Sequence, residues 1–206
     1  MKNFGDAFIL CGGKSRRMGF DKSLLKIKGE YVINIMAKKL AEIFDNVVLC
    51  ANASDKFNNF NIKIIEDIYS DGIGPVAAIH AALNAATTQY IFIIAVDMPL
   101  INLDHIRYMM SKIDNTKNPF DAMIPLCGKH KEALYGFYNV DALPKFVGEI
   151  EAGNYAMHKI LAKLDTIYLD ENESRAFDAD LSMFANLNYA TDLSILENFG
   201  GNANDK

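Results

Sequence analysis

Tyr90-Ile91-Phe92-Ile93-Ile94-Ala95-Val96-Asp97-Met98-Pro99 is the stretch that decides the fold. Residues 90–96 are apolar at every position, so an extended chain there shows apolar side chains to both faces of its sheet. That pattern suits the middle of a parallel sheet, where helices cover both faces. Asp97 follows at once, at the carboxyl end of the strand, which is where open α/β sheets bind their ligands.

Outward from this strand, strands and helices alternate. Residues 4–10 read as a buried strand running into a glycine loop. Val32, Met36, Leu40 and Ile43 recur at helical spacing within 31–44. Strands are predicted over 46–51 and 62–65, and the turn Asp71-Gly72-Ile73-Gly74-Pro75 leads into an alanine-rich helix over 76–86. A helix over 103–113, strands over 122–126 and 134–138, two weaker helices and a short strand at 166–169 complete the pattern. This alternation predicts an α/β fold, a Rossmann-like three-layer α/β/α domain with a mostly parallel central sheet. A single domain is expected over 1–199, with a disordered polar tail over 200–206.

Half of the residues are hydrophobic and 23% are charged, which suits a globular protein and not a disordered chain. Cys11, Cys50 and Cys127 are odd in number and lack metal-type spacing, so reduced thiols are expected. No apolar run approaches the roughly 18 residues of a membrane span, and Phe8-Ile9-Leu10-Cys11 is too short for a signal core. The expectation is a cytoplasmic protein with neither membrane nor nucleic acid as partner, and the formal charge of −5 agrees with it. Locally the balance reverses. Lys14, Arg16, Arg17, Lys22, Lys26 and Lys28 are opposed only by Asp21 within 14–28. A basic segment inside an acidic protein points to a small anionic ligand held at one place.

The loop after the first strand runs Leu10-Cys11-Gly12-Gly13-Lys14-Ser15-Arg16-Arg17-Met18-Gly19-Phe20-Asp21-Lys22. Gly12 and Gly13 leave main-chain N–H groups uncovered, as an anion-binding nest requires. Arg16, Arg17 and Lys22 add charge for phosphate oxygens, arginine through a fork and lysine as a point charge. Two other phosphate motifs do not fit. A P-loop would need glycine where Phe8 stands, and the dinucleotide pattern would need it where Lys14 stands.

Asp97 is the second element. A carboxylate directly after a buried strand is costly unless paired or metal-bound, and Mg²⁺ is commonly held by one or two carboxylates plus substrate phosphates. The plainer alternative is a cap for the helix that begins near Asn102. Glu66-Asp67 forms a third element at another strand end. Asp67 can accept hydrogen bonds from the amino and imino groups of guanine, whereas Asp71 suits turn initiation. His80, His105, His130 and His158 share no ligand spacing and read as structural or solvated. Lys129-His130-Lys131 is either a contact for a second anionic substrate or a solvated loop.

The stretch 10–22 closely resembles the signature L-A-G-G-x-S-x-R-M-G-x-D-K of the molybdenum cofactor guanylyltransferases, which have the nucleotide-diphospho-sugar transferase fold. The similarity continues through Glu66-Asp67, Gly74-Pro75, Asp97-Met98-Pro99, Glu132-Ala133-Leu134 and the segment Asn186-Leu187-Asn188-Tyr189-Ala190-Thr191-Asp192-Leu193. That family joins GMP from GTP to the terminal phosphate of molybdopterin, and the product passes to molybdoenzymes. The resemblance implies that Leu10, Cys11, Gly12 and Gly13 lie against GTP and that Lys22 meets its phosphates. It implies that Asp67 recognises guanine and Asp97 holds Mg²⁺ beside the GTP. Lys22, Arg16 and Asp97 would then be the catalytic set, with Asn188 and Lys129 toward the second substrate. Cofactor-carrying proteins and molybdoenzyme acceptors are the partners it implies. Cys50 stands where a nucleotide-contacting Asn is common, with Asn52 as the alternative contact. A related cytidylyltransferase or sugar-phosphate nucleotidyltransferase is the runner-up, and a non-catalytic nucleotide-binding delivery module the third reading. Gly12 and Asp21 favour guanine by resemblance.

Overall fold

The computed structural model describes residues 1–11, 24–51, 57, 60–69 and 73–187. The loop residues 12–23, Asn52, Asp71 and everything from 188 onward, the expected tail 200–206 included, lie outside them.

β1 (Asp6–Leu10) is buried throughout and serves two cores, Ala7 and Ile9 on one face, Phe8 and Leu10 on the other. The short hairpin of β2 (Lys26–Ile27) and β3 (Glu30–Tyr31) leads into α1 (Val32–Leu40), which buries Val32, Ile33, Met36 and Leu40 on the Ala7/Ile9 face. β4 (Asn46–Cys50) and β5 (Lys63–Ile65) follow. α2 (Pro75–Ala85) starts after Gly74, whose φ of 75° requires glycine, and Pro75 fits the first turn because that N–H has no intrahelical partner. α2 packs on the Phe8/Leu10 face through Val76, Ile79 and Leu83.

β6 (Tyr90–Ala95) is the all-apolar strand, buried along its whole length. α3 (Leu103–Asp114) returns to the α1 side of the sheet, where Ile106, Met109 and Ile113 are buried. β7 (Ala122–Cys127) and β8 (His130–Lys131) form a hairpin, and β9 (Tyr135–Asn139) re-enters the sheet. α4 (Leu143–Glu151) and α5 (Met157–Leu161) join α2 on its face. β10 (Thr166–Leu169) and α6 (Glu171–Arg175) follow, and a 3-10 turn at Ser182–Phe184 is the last regular element among the described residues.

The sheet order is β10-β7-β9-β6-β1-β4-β5, with β8 on β7. β5, β4, β1 and β6 run parallel, as do β7 and β10. β9 is antiparallel to both its neighbours, β6 and β7. A parallel crossover needs about a dozen residues. Only 128–134 separate β7 from β9, so the chain must turn back on itself.

Asp6 fixes the start of β1. It is 2% exposed and accepts hydrogen bonds from Asn46 Nδ2, from the N–H and hydroxyl of Thr87, and from the N–H of Thr88. Burial pushes its pKa up, but these donors together outweigh that and hold it below the usual carboxylate range.

Candidate active site at the sheet edge

One row of paired residues ends the four parallel strands. Ile65 pairs with Cys50, Cys50 with Leu10, and Leu10 with Ala95. The ladder closes just beyond this row. The N–H of Ala51 donates to Ile65 at 3.0 Å, that of Cys11 to Cys50 at 2.8 Å and that of Val96 to Leu10 at 3.1 Å. Asp67 and Asp97 each lie two residues past the row, on the outer strand and the inner one. Three strand spacings separate their strands, about 14 Å, enough for a nucleoside and its phosphates to lie across the edge. The chain leaves β1 toward β4 on one side and comes back to β6 on the other, with α1 and α2 on opposite faces. This is a topological switch point, the usual ligand crevice of such sheets.

Asp97 is half-buried in a turn that the Met98 N–H closes by donating to the Ala95 carbonyl at 3.0 Å. It is not the cap of α3. Asn102 fills that role, its side chain accepting the His105 N–H at 3.0 Å. A second support is invisible in sequence patterning: the N–H of Leu187 donates to the Asp97 carbonyl at 2.7 Å. The segment ending at Leu187 is itself pinned to α3. His105 Nε2 lies 3.1 Å from the Ser174 hydroxyl, Asn102 Nδ2 donates to the Phe177 carbonyl at 3.0 Å, and the Tyr108 hydroxyl donates to Glu173 at 2.6 Å. Burial pushes the pKa of His105 down to about 4, against the pull of Asp178 and Glu173, so it is neutral at physiological pH. Among the described residues no group of three His, Cys, Asp or Glu side chains is arranged as a metal cage. A half-buried carboxylate at the ligand edge is the donor set that Mg²⁺ uses when substrate phosphates complete its shell, and Asp97 fits that need.

Asp67 is half-buried, yet its Oδ1 atom is buried and has no hydrogen-bond partner among the described residues. Burial lifts its pKa from the usual carboxylate range to about 6. Cys50, the residue at the common Asn position, is fully buried in the core on the α2 side. Burial, then the charge of Asp67 and then Cys11 push its thiol well above its ordinary value. Leu10 is buried at the end of β1, and Cys11 is partly exposed just beyond it.

Lys129 lies at the tip of the β7–β8 hairpin, beside Gly128 with φ 59°. β7 runs parallel to β6, with β9 between them, so the tip projects from the same edge as Asp97. Lys129 and His130 are exposed, while Lys131 Nζ sits 4.5 Å from the centre of the Tyr168 ring. The Gly128 N–H donates to Glu171 on α6. Arg16, Lys22, Gly12, Gly13 and Asn188 lie outside the described residues.

A mostly parallel sheet with a switch-point crevice, flanked by helices on both faces, is a Rossmann-like three-layer α/β/α architecture. In structure the chain is similar to molybdopterin-guanine dinucleotide biosynthesis protein A from Archaeoglobus fulgidus, with a TM-score of 0.81 and 24% identity over 96% of this chain and 100% of the other. It is more distantly similar to 2-C-methyl-D-erythritol 4-phosphate cytidylyltransferase from Thermus thermophilus, with a TM-score of 0.64 and 12% identity over 94% and 97% of the two chains. In sequence it is 38% identical to a probable molybdenum cofactor guanylyltransferase of Peptoclostridium acidaminophilum over 93% of this chain and 88% of the relative. It is 36% identical to the molybdenum cofactor guanylyltransferase of Syntrophotalea carbinolica over 92% and 89%. The model of the MobA-like NTP transferase domain matches residues 7–167. The chain belongs to the MobA-like NTP transferase family and is a nucleotidyltransferase. Among the described residues no helix is long and apolar enough to cross a membrane.

Proposed function

We propose that the chain transfers GMP from GTP to the terminal phosphate of a molybdopterin-type cofactor, giving the guanine dinucleotide cofactor and pyrophosphate. What supports this reading is that Leu10, Cys11, Asp67 and Asp97 stand at the carboxyl ends of one run of parallel strands, in a chain of this family. Asp67 accepts the paired N–H donors of guanine, and the β1 loop, through Gly12 and Gly13, lies against the nucleotide.

The accepting phosphate monoester has a second pKa of about 6, so it is largely a dianion at neutral pH and needs no general base. Its oxygen attacks the α-phosphorus, the bond to the β-phosphate oxygen breaks, and pyrophosphate leaves with the electron pair. The obstacle is repulsion between anions. Lys22 and Arg16 lower it by holding positive charge at the transferring phosphate. Asp97 would hold Mg²⁺, which supplies charge neutralisation at the same phosphate. Lys129, at the shared edge, and Asn188 serve the second substrate. Cofactor-carrying proteins and molybdoenzymes are the partners, in the cytoplasm.

A labelled-substrate experiment tests this. With GTP labelled at the α-phosphate, the label is expected in a pterin dinucleotide while the released pyrophosphate stays unlabelled. Label recovered as free GMP would contradict the transfer.

A further inference from the structure

The short segment that carries Asp67 is held at both ends. Before it, Ile65 is paired with Cys50, and the Ala51 N–H closes the ladder on Ile65 at 3.0 Å. After it, Tyr69 packs on the core of the α2 face, and its ring meets that of His80 edge-on, with centroids 4.9 Å apart and planes at 70°. Exposure alternates along the segment. Ile65, Asp67 and Tyr69 are partly buried, and Glu66 and Ile68 are exposed, Ile68 by 60%. Ile65 and Tyr69 both pack against the α2-side core, and Asp67 lies between them in the chain, near enough for its charge to act on the buried Cys50 thiol.

His80 is an α2 side chain that meets this segment, at Tyr69. It is 7% exposed, and its Nδ1 atom is buried without a hydrogen-bond partner among the described residues. An orphaned ring nitrogen weakens the fold relative to an apolar ring of similar size. Its aromatic contact with Tyr69 is what the structure gains from a ring at this position. Asp67, two residues from Tyr69, likewise has a buried oxygen without a partner among the described residues. A buried carboxylate oxygen without a partner among the described residues, on a segment anchored at both ends, suits accepting donors from a ligand.

We propose that Tyr69 and His80 are positioning residues for Asp67, a buttress that sets its carboxylate where it reads the guanine edge and so sets the preference for GTP. The proposal rests on the assignment of Asp67 to base recognition. In this proposal the Tyr69–His80 ring contact anchors the chain just after Asp67, as the Ile65–Cys50 pairing anchors it just before.

The test compares GTP with inosine triphosphate, which lacks the exocyclic amino group. Dissociation constants, kcat and melting temperature are measured for the unaltered chain, Asp67→Asn, Tyr69→Ala, His80→Ala and His80→Phe. Tyr69→Ala and His80→Ala are expected to weaken GTP binding about tenfold, inosine triphosphate less, with kcat for GTP within about twofold, since a misplaced carboxylate loses charge-assisted hydrogen bonds in binding. His80→Phe keeps the ring contact and is expected to retain the preference for GTP. Asp67→Asn abolishes the preference if the base assignment holds. If Asp67→Asn abolishes it while folded Tyr69→Ala and His80→Ala keep it, the buttress is refuted and the base assignment stands. If both variants weaken the two nucleotides equally, the pair supports the fold and not Asp67, and the proposal fails. If Asp67→Asn keeps the preference, the base assignment falls and the buttress with it.

Discussion

The main-chain N–H of Leu187 donates to the carbonyl of Asp97 at 2.7 Å, so the last described residue of the chain braces the carboxylate-bearing turn of β6. Leu187 is also buried, which separates its packing from its hydrogen bond. Leu187→Ala removes packing alone, whereas Leu187→Pro removes packing and donor. Turnover is expected to fall about tenfold further in the proline variant than in the alanine variant, because small displacements of a positioned group are costly in rate. Steady-state pyrophosphate release on both variants checks this. Equal rates would show that the hydrogen bond does not position Asp97.

Lys22 and Asp97 carry the charge stabilisation in the proposed transfer. Lys22→Ala and Asp97→Ala are each expected to lose about 10²-fold or more in rate with the fold intact. Single-turnover kinetics with circular dichroism as the folding control measure it. Near-normal turnover in either variant removes that residue from the mechanism.

The pKa of Asp67, raised by burial to about 6, gives a pH signature. Below about 6 the carboxyl is protonated and loses its capacity to accept both guanine donors, so GTP affinity is expected to fall as pH drops through that value. Stability runs the other way. Because the folded pKa lies above the unfolded one, the protonated form favours folding, and this contribution is lost as pH rises through about 6. Asp67→Asn is therefore expected to melt higher than the unaltered chain at pH 7.5, with the gain vanishing as pH falls below about 6 toward the ordinary carboxylate range. Calorimetry and nucleotide titration across pH 4.5 to 8 (roughly the span of the two protonation states) test both halves.

Asp6 carries the opposite sign. Its donors Asn46, Thr87 and Thr88 hold its pKa low despite burial, so its contribution to stability is present above the ordinary carboxylate range and lost as pH falls through the folded pKa. Asp6→Ala takes the acceptor from the buried Thr88 N–H and from the donors of Asn46 and Thr87 at exposed positions, and is expected to lower stability by about 2 kcal/mol, measured by urea unfolding at neutral pH. An unchanged unfolding midpoint would contradict the anchoring role.

Much of this architecture can be read from side-chain patterning. The run at 90–96 identifies an interior strand because all its positions are apolar, and the structure ends that strand at Ala95, just before Asp97. The direction of β9 is less legible, since Tyr135–Asn139 is buried on both faces whichever way it runs. The signal lies in the brevity of 128–134, too short for a crossover. α6 has a capping box, Asp170 with Glu173, which is a readable helix start that periodicity over five residues does not reveal. At the site, Asp97 is legible because a carboxylate after a buried strand needs a reason, and Asp67 because it stands at a strand end. Their supports are not. Leu187 acts through its backbone, and Tyr69 and His80 meet only after α2 folds back over β4 and β5. His80, which reads in sequence as structural or solvated, is buried with its ring against Tyr69.

The central claim is tested most directly by pyrophosphate release from ATP, CTP, GTP and UTP in turn, with Mg²⁺ and molybdopterin-type cofactor present. Release with GTP alone, abolished by omitting either the metal or the cofactor, is the predicted result. Release with CTP in place of GTP would contradict the base assignment to Asp67, and release with no nucleotide would contradict the transfer itself.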